Sequence, residues 1–174
     1  MELELLISRN DIRNRVREIA QQIDRDYEGK NPVLICILKG SVIFLSDLVR
    51  DLNVMVEIEF MEVKSYVGMK NHEPEVKLDI NRELKGKDLI IVEDIVDTGL
   101  TTSSLKDILL PREPKSLKIC TFLDKPDRRK VDIKADYVGF EIPDVFVVGY
   151  GLDVDGKYRQ LADIHYVSGT NVSE

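Results

Sequence analysis

The segment 92–104 reads VEDIVDTGLTTSS. It joins two adjacent carboxylates, Glu93 and Asp94, to a third at Asp97, followed by Thr98, Gly99, Leu100, Thr101 and Thr102. Amides in a glycine-containing turn, the first N–H groups of a helix and threonine hydroxyls all donate hydrogen bonds, so Asp97 to Thr102 suit an anion. Adjacent carboxylates would repel that anion. Ionised, they only accept hydrogen bonds or bind metal, which suits a cis-diol or a divalent cation. A phosphate at one end and a diol at the other describe a ribose 5-phosphate. By spacing alone, an acidic β–α turn with a Thr/Ser-rich helix cap is the minority alternative. No GxxxxGK[ST] and no GxGxxG occurs, which disfavours nucleoside triphosphatase and dinucleotide-binding readings.

Other positions carry weaker signals. Lys39-Gly40-Ser41 combines a lysine, a glycine allowing close backbone approach and a helix start, which is either a second anion site or a plain βα turn. In isolation Lys125, within Asp124-Lys125-Pro126, reads as a solvated turn lysine. Phe146 and Val147 read as core, and Asp153 as a loop acid before an Asp-Gly turn.

These residues need elements to hold them. Ile12, Val16, Ile19, Ala20, Ile23 and Tyr27 recur at helical spacing, so an amphipathic helix is predicted over 9–27, started by Ser8 with Asp11 and stopped by Gly29–Pro32. VLICIL (33–38) and DLIIV (88–92) read as strands buried on both faces. Helices are predicted over 42–51 and 100–110, and further strands over 54–63, 76–80, 116–123, 137–140 and 145–150. Residues 64–75 read as a long loop. Alternating strands and helices predict an α/β fold around a mostly parallel sheet flanked by helices, with ligands beyond the carboxyl ends of the strands.

Composition bounds the rest. A length of 174 residues, 43% hydrophobic and 33% charged, suits one soluble domain spanning 1–174. The net charge of −7 argues against bulk attraction to nucleic acid or an anionic membrane. No targeting segment or membrane-spanning run is visible, so a cytoplasmic protein is expected. Cys36 and Cys120 sit in apolar runs and read as buried free thiols, and the two histidines, His72 and His165, are far apart in sequence, which disfavours a zinc site.

VEDIVDTGLTT resembles the phosphoribosyl-pyrophosphate signature of type I phosphoribosyltransferases. The acid pair followed by Asp-Thr-Gly is the form of the hypoxanthine-guanine branch. The likeness runs from the strand–LKGS segment through DKPDRR to VVGYGLDVDGKYR. It implies a phosphoribosyltransferase core with a small hood and a mobile lid loop. It also implies Mg²⁺-dependent transfer of the 5-phosphoribosyl group to a 6-oxopurine, and a homo-oligomer, dimer or tetramer. By the same resemblance, Glu93 and Asp94 hold the ribose hydroxyls, and with Asp153 the metal. Asp97 to Thr102 surround the 5′-phosphate, and Asp97 is the candidate acid or base at purine N7.

Lys39, Gly40 and Arg159 are implied to contact pyrophosphate, the first two often beside a non-proline cis peptide. Lys125 is similar to a lysine that donates to the purine 6-oxo group, while Phe146, Val147 and Asp153 line the base region. The lid is implied at 64–77, with Ser65-Tyr66 kept and Lys64 and Val67 departing from the usual pattern. A pyrimidine-operon RNA-binding regulator on the same fold is the rival reading. The negative charge, Asp97 and Lys125 disfavour it. Lys125 also disfavours adenine, whereas xanthine is excluded only weakly.

Overall fold

The computed structural model describes residues 2–64 and 75–168. In chain order its elements are β1 (Glu2–Ile7), α1 (Arg9–Asp26), β2 (Val33–Ile37), α2 (Val42–Asp51), β3 (Glu57–Lys64), β4 (Glu75–Leu78) and β5 (Asp88–Val96). There follow α3 (Leu100–Leu109), β6 (Ser116–Asp124), β7 (Tyr137–Glu141), β8 (Val147–Val148) and β9 (Ile164–Ser168). One-turn 3-10 segments lie at Leu110–Arg112 and Pro126–Arg128. Ser8 caps α1 by accepting from the Asp11 amide at 3.2 Å.

Six strands form one sheet in the order β4-β3-β2-β5-β6-β7. All neighbours are parallel except β4, which runs antiparallel to β3. Because side chains alternate along a strand, the apolar runs feed two cores. Leu34, Cys36, Ile90, Val92, Cys120 and Phe122 face α1 and α2. Val33, Ile35, Ile37, Leu89, Ile91 and Ile119 face Leu105 and Leu109 of α3. Helices on both faces of a mostly parallel sheet give the α/β architecture expected from the sequence.

Three elements differ most from their sequence reading, while the strands expected over 54–63 and 76–80 shift to Glu57–Lys64 and Glu75–Leu78. The strand expected to stop at Val92 continues to Val96, because Ile95 and Val96 pair with Leu123 and Asp124 of β6. Glu93 and Asp94 therefore lie inside the sheet end rather than beyond it. The strand expected over 145–150 shrinks to Val147–Val148, since Gly149, Tyr150 and Gly151 all adopt positive φ. The acidic N-terminus, read without structure, is β1. It pairs with β9, and β8 pairs with the same strand, in a small antiparallel sheet that forms the hood. Most of the expected lid, with Ser65 and Tyr66, lies outside the described residues. Among the described residues no helix is long and apolar enough to cross a membrane.

Candidate active site

β2 and β5 are central parallel neighbours, so their carboxyl ends open side by side. A cleft of about 350 Å³ lies there. It brings together Lys39 and Gly40 from the turn after β2, Glu93, Asp94 and Asp97 from the end of β5, Thr98, Gly99, Thr101 and Thr102 from the start of α3, and Asp153 and Arg159 from the loop after β8. Leu100, Lys125, Phe146 and Val147 do not line it. A larger cavity of about 520 Å³ lies between α1 and α2 and shares only Arg159 with the cleft. It contains none of the other expected site residues.

The anion end follows from local backbone. Gly99 takes φ 82° at the N-cap of α3, a left-handed conformation that a side chain at this position would strain. A Cβ there would also press on Val131, Arg129 and Ile133 at 3.1–3.3 Å. Gly99 thus turns the chain into α3, whose first turn lines the cleft. Thr102 is buried, and Thr98 Oγ1 accepts from the Leu100 amide at 3.4 Å.

The acid pair is held in the opposite sense. Burial pushes the Glu93 carboxyl well above its ordinary range, with the neighbouring Asp94 adding to the effect. Asp94 is pushed up to about 6, again chiefly by burial, against the Ile95 amide and the positive charge of Arg159. The Ile95 amide donates to Asp94 at 2.7 Å. Among the described residues no cation pairs with either carboxylate at contact distance. Gly40 abuts this pair: a Cβ on it would fall 1.6 Å from Asp94 Oδ2. The Leu38–Lys39 peptide is cis, as the resemblance implied for this turn. Behind Gly40 stands Gly151 at φ 102°, where a Cβ would fall 2.0 Å from the Gly40 carbonyl oxygen. The loop after β8 thereby packs backbone to backbone on the turn after β2. Arg159 donates to the Gly151 carbonyl at 2.6 Å and pairs with Asp153 at 2.8 Å. The other Asp153 oxygen accepts from the Gly156 amide at 2.7 Å.

Among the described residues, no three acidic, histidine or cysteine side chains cluster as a ready-made metal cage. The donor set still fits Mg²⁺, which binds through one or two carboxylates and completes its shell with water and substrate oxygens. Glu93, buried, and Asp94, half-buried, with no cation at contact distance among the described residues, have that chemistry.

The other expected residues gather at the end of β6. Lys125 is 7% exposed, its amide donates to the Val96 carbonyl at 3.0 Å, and its Nζ lies 3.8 Å from Asp144. Phe146 is 40% exposed, two residues beyond Asp144, and the Val147 side chain is buried in β8. The sequence reading passed over Arg128 and Arg129, quoted only as part of DKPDRR. Arg129 donates to the Val96 and Asp97 carbonyls at 3.1 and 2.7 Å and pairs with Asp124, tying the ends of β5 and β6 together. Arg128 Nε donates to Asp97 at 2.9 Å and its Nη1 pairs with Asp144 at 3.2 Å. Two arginines after Asp-Lys-Pro signal a charged turn, but only the parallel pairing of β5 with β6 brings them back to Asp97.

Comparison with known proteins agrees with this geometry. A family model of the phosphoribosyl transferase domain matches residues 8–155. The chain is 48% identical to a hypoxanthine phosphoribosyltransferase of Haemophilus influenzae over 167 residues, covering 93% of each chain. It is similar to a crystal structure of a hypoxanthine-guanine phosphoribosyltransferase from Bacillus anthracis, with 47% identity, a TM-score of 0.91 and coverage of 95% of this chain and 99% of that one. A Trypanosoma cruzi hypoxanthine phosphoribosyltransferase, solved in complex with the product IMP, shares 42% identity at a TM-score of 0.89, covering 95% of this chain and 90% of that one.

Proposed function

The chain belongs to the phosphoribosyltransferase family, and from that premise we infer purine salvage: transfer of the 5-phosphoribosyl group from phosphoribosyl pyrophosphate to N9 of hypoxanthine or guanine, giving IMP or GMP and pyrophosphate. The observation that carries the reading is the cleft itself. It joins a helix-start anion cradle to a desolvated carboxylate pair that has no ion-pair partner at contact distance among the described residues.

The residues divide the work by chemistry. Amides and hydroxyls from Thr98 to Thr102 hold the 5′-phosphate at the start of α3. Glu93 and Asp94 accept from the ribose hydroxyls. Breaking the bond at C1′ builds oxocarbenium character on the ribose and negative charge on the leaving pyrophosphate. Lys39, the Gly40 backbone and Arg159 meet that leaving charge. Glu93 and Asp94, with Asp153, would hold Mg²⁺, which when bound neutralises phosphate charge. Asp97 takes the proton that purine N7 must lose after attack through N9. Lys125 donates to the 6-oxo group. Adenine presents an amino group there, and a donor facing a donor leaves a buried group unpaired. Phe146 stacks on the base, the Val147 backbone meets its edge, and the lid containing Ser65 and Tyr66 closes over the sugar to exclude water.

The chain acts as one catalytic domain, assembles as a dimer or tetramer and works in the cytoplasm, a reducing compartment that suits its two free, buried cysteines. The test is kcat/KM for hypoxanthine, guanine, xanthine and adenine with phosphoribosyl pyrophosphate and Mg²⁺. Turnover is expected with the first two and not with adenine. Equal use of adenine would overturn the role of Lys125, and inactivity with all four would overturn the reading.

A further inference from the structure

We propose that Arg128 is a positioning residue that fixes the Asp97 carboxylate and, through Asp144, the Lys125 ammonium. The inference rests on the acid–base reading of Asp97. Arg128 ends the single 3-10 turn Pro126–Arg128, which begins immediately after Lys125. Pro126 at the start of that turn holds φ near its helical value and sends the chain back toward β5. The guanidinium then spans two acids. Its Nε donates to Asp97 Oδ1 at 2.9 Å, and its Nη1 lies 3.2 and 3.5 Å from the two Asp144 oxygens. Asp144 in turn lies 3.8 Å from Lys125 Nζ. The four charges alternate in sign along one chain: Asp97, Arg128, Asp144, Lys125.

Fixed geometry makes this more than a surface pair. A guanidinium is a planar fork, so holding one acid on Nε and another on Nη1 fixes their relative position. One oxygen of Asp97 is taken, and Oδ2 is left to receive a proton. The backbone of Asp97 is already held by Arg129, so Arg128 governs the remaining side-chain rotation. Stability gains little from the same contacts. The side chains of Arg128 and Asp144 are 44% and 53% exposed, and exposed ion pairs contribute little to folding. Arg128 does not itself line the sugar-phosphate cleft and reaches it only through the Asp97 side chain, so its direct effect on phosphoribosyl pyrophosphate affinity is expected to be small.

A double-mutant cycle tests this, with kcat, both KM values and thermal midpoints measured for Arg128→Gln, Asp97→Asn and the double variant. Arg128→Gln is expected to lower kcat about tenfold, to leave the KM for phosphoribosyl pyrophosphate unchanged and to keep the thermal midpoint. In the Asp97→Asn background the same substitution is expected to change kcat less than about twofold. Asp144→Asn should give a smaller kcat loss and weaken the preference for 6-oxopurines. Full kcat in Arg128→Gln beside a damaged Asp97→Asn would overturn the inference alone, as would an equal loss in both backgrounds. Full kcat in Asp97→Asn would overturn the reading of Asp97, and this inference with it.

Discussion

The two halves of the site solve opposite electrostatic problems. At the ends of β2 and β5 the carboxylates have no ion-pair partner at contact distance among the described residues: Glu93 is buried and Asp94 half-buried inside the sheet end, both raised by desolvation, with the positive charge of Arg159 acting on Asp94. At the end of β6 the charges are already matched. Lys125, Asp144, Arg128 and Asp97 neutralise one another in sequence, three of them with substantial exposure. The first half resembles a socket whose cost is carried by the fold. The second is a pre-set array whose cost is carried by its own ion pairs. Under the proposed function, sugar-phosphate recognition would then depend on backbone and burial, and base recognition on side-chain alignment.

Substitutions can break that contrast at either side. The largest effect is expected from Gly40→Ala, because its Cβ would sit 1.6 Å from Asp94 Oδ2. Displacing either group by about an ångström should lower kcat/KM about a hundredfold or more; near-normal kinetics would show that the socket is soft. Asp97→Asn should lower kcat about a hundredfold, the size of a lost acid–base group, with far less change in the KM for phosphoribosyl pyrophosphate. An unchanged kcat would remove Asp97 from proton transfer. Lys125→Ala should cut the hypoxanthine-over-adenine ratio of kcat/KM about tenfold, and full retention of that ratio would place discrimination elsewhere.

The smallest effect is one of stability, and it is opposite in sign to the loss of activity. An acid whose pKa is raised by folding binds its proton more tightly in the native state. Stability then falls as pH rises from the unfolded value through the folded one, and the penalty is complete above it. For Asp94 that window runs from the ordinary 3.8 to about 6, and Glu93 contributes in the same direction. Glu93→Gln should therefore stabilise the ligand-free protein at neutral pH while activity falls. Thermal melts from pH 4 to 8 should show the variant losing less stability than the parent. A destabilised variant would contradict the burial of Glu93 without an ion-pair partner among the described residues.

Much of the socket was legible in the sequence because it is local. Glu93 to Thr102 are contiguous, and Lys39-Gly40 marks a turn between a buried strand and a helix. The base side was legible only through family resemblance. Lys125 and Arg128 look like solvated turn residues until parallel pairing of β5 with β6 carries them to Asp97, and nothing in their spacing encodes that pairing. The hood was missed for a related reason. The strand β1 gains its order from β9, more than 150 residues later, and its pattern of Glu and Leu carries little signal alone. β5 was read too short because the acids at 93 and 94 break an apolar run without breaking the hydrogen-bond ladder.

The contact between Gly40 and Gly151 also limits how this sequence can change. The two positions are far apart in the chain, yet both exclude a methyl group: a Cβ on Gly40 would meet the Asp94 carboxylate, and one on Gly151 the Gly40 carbonyl. Gly151 cannot be enlarged and compensated later, because its obstruction is a peptide oxygen, and enlarging Gly40 would require giving up the Asp94 carboxylate. A library randomised at both positions and selected for function should return glycine at each, whereas neighbouring Ile43, with its exposed side chain, should drift freely. The seam is an evolutionary dead end in the literal sense: it fixes the outline of the socket and leaves adaptation to the array beyond β6.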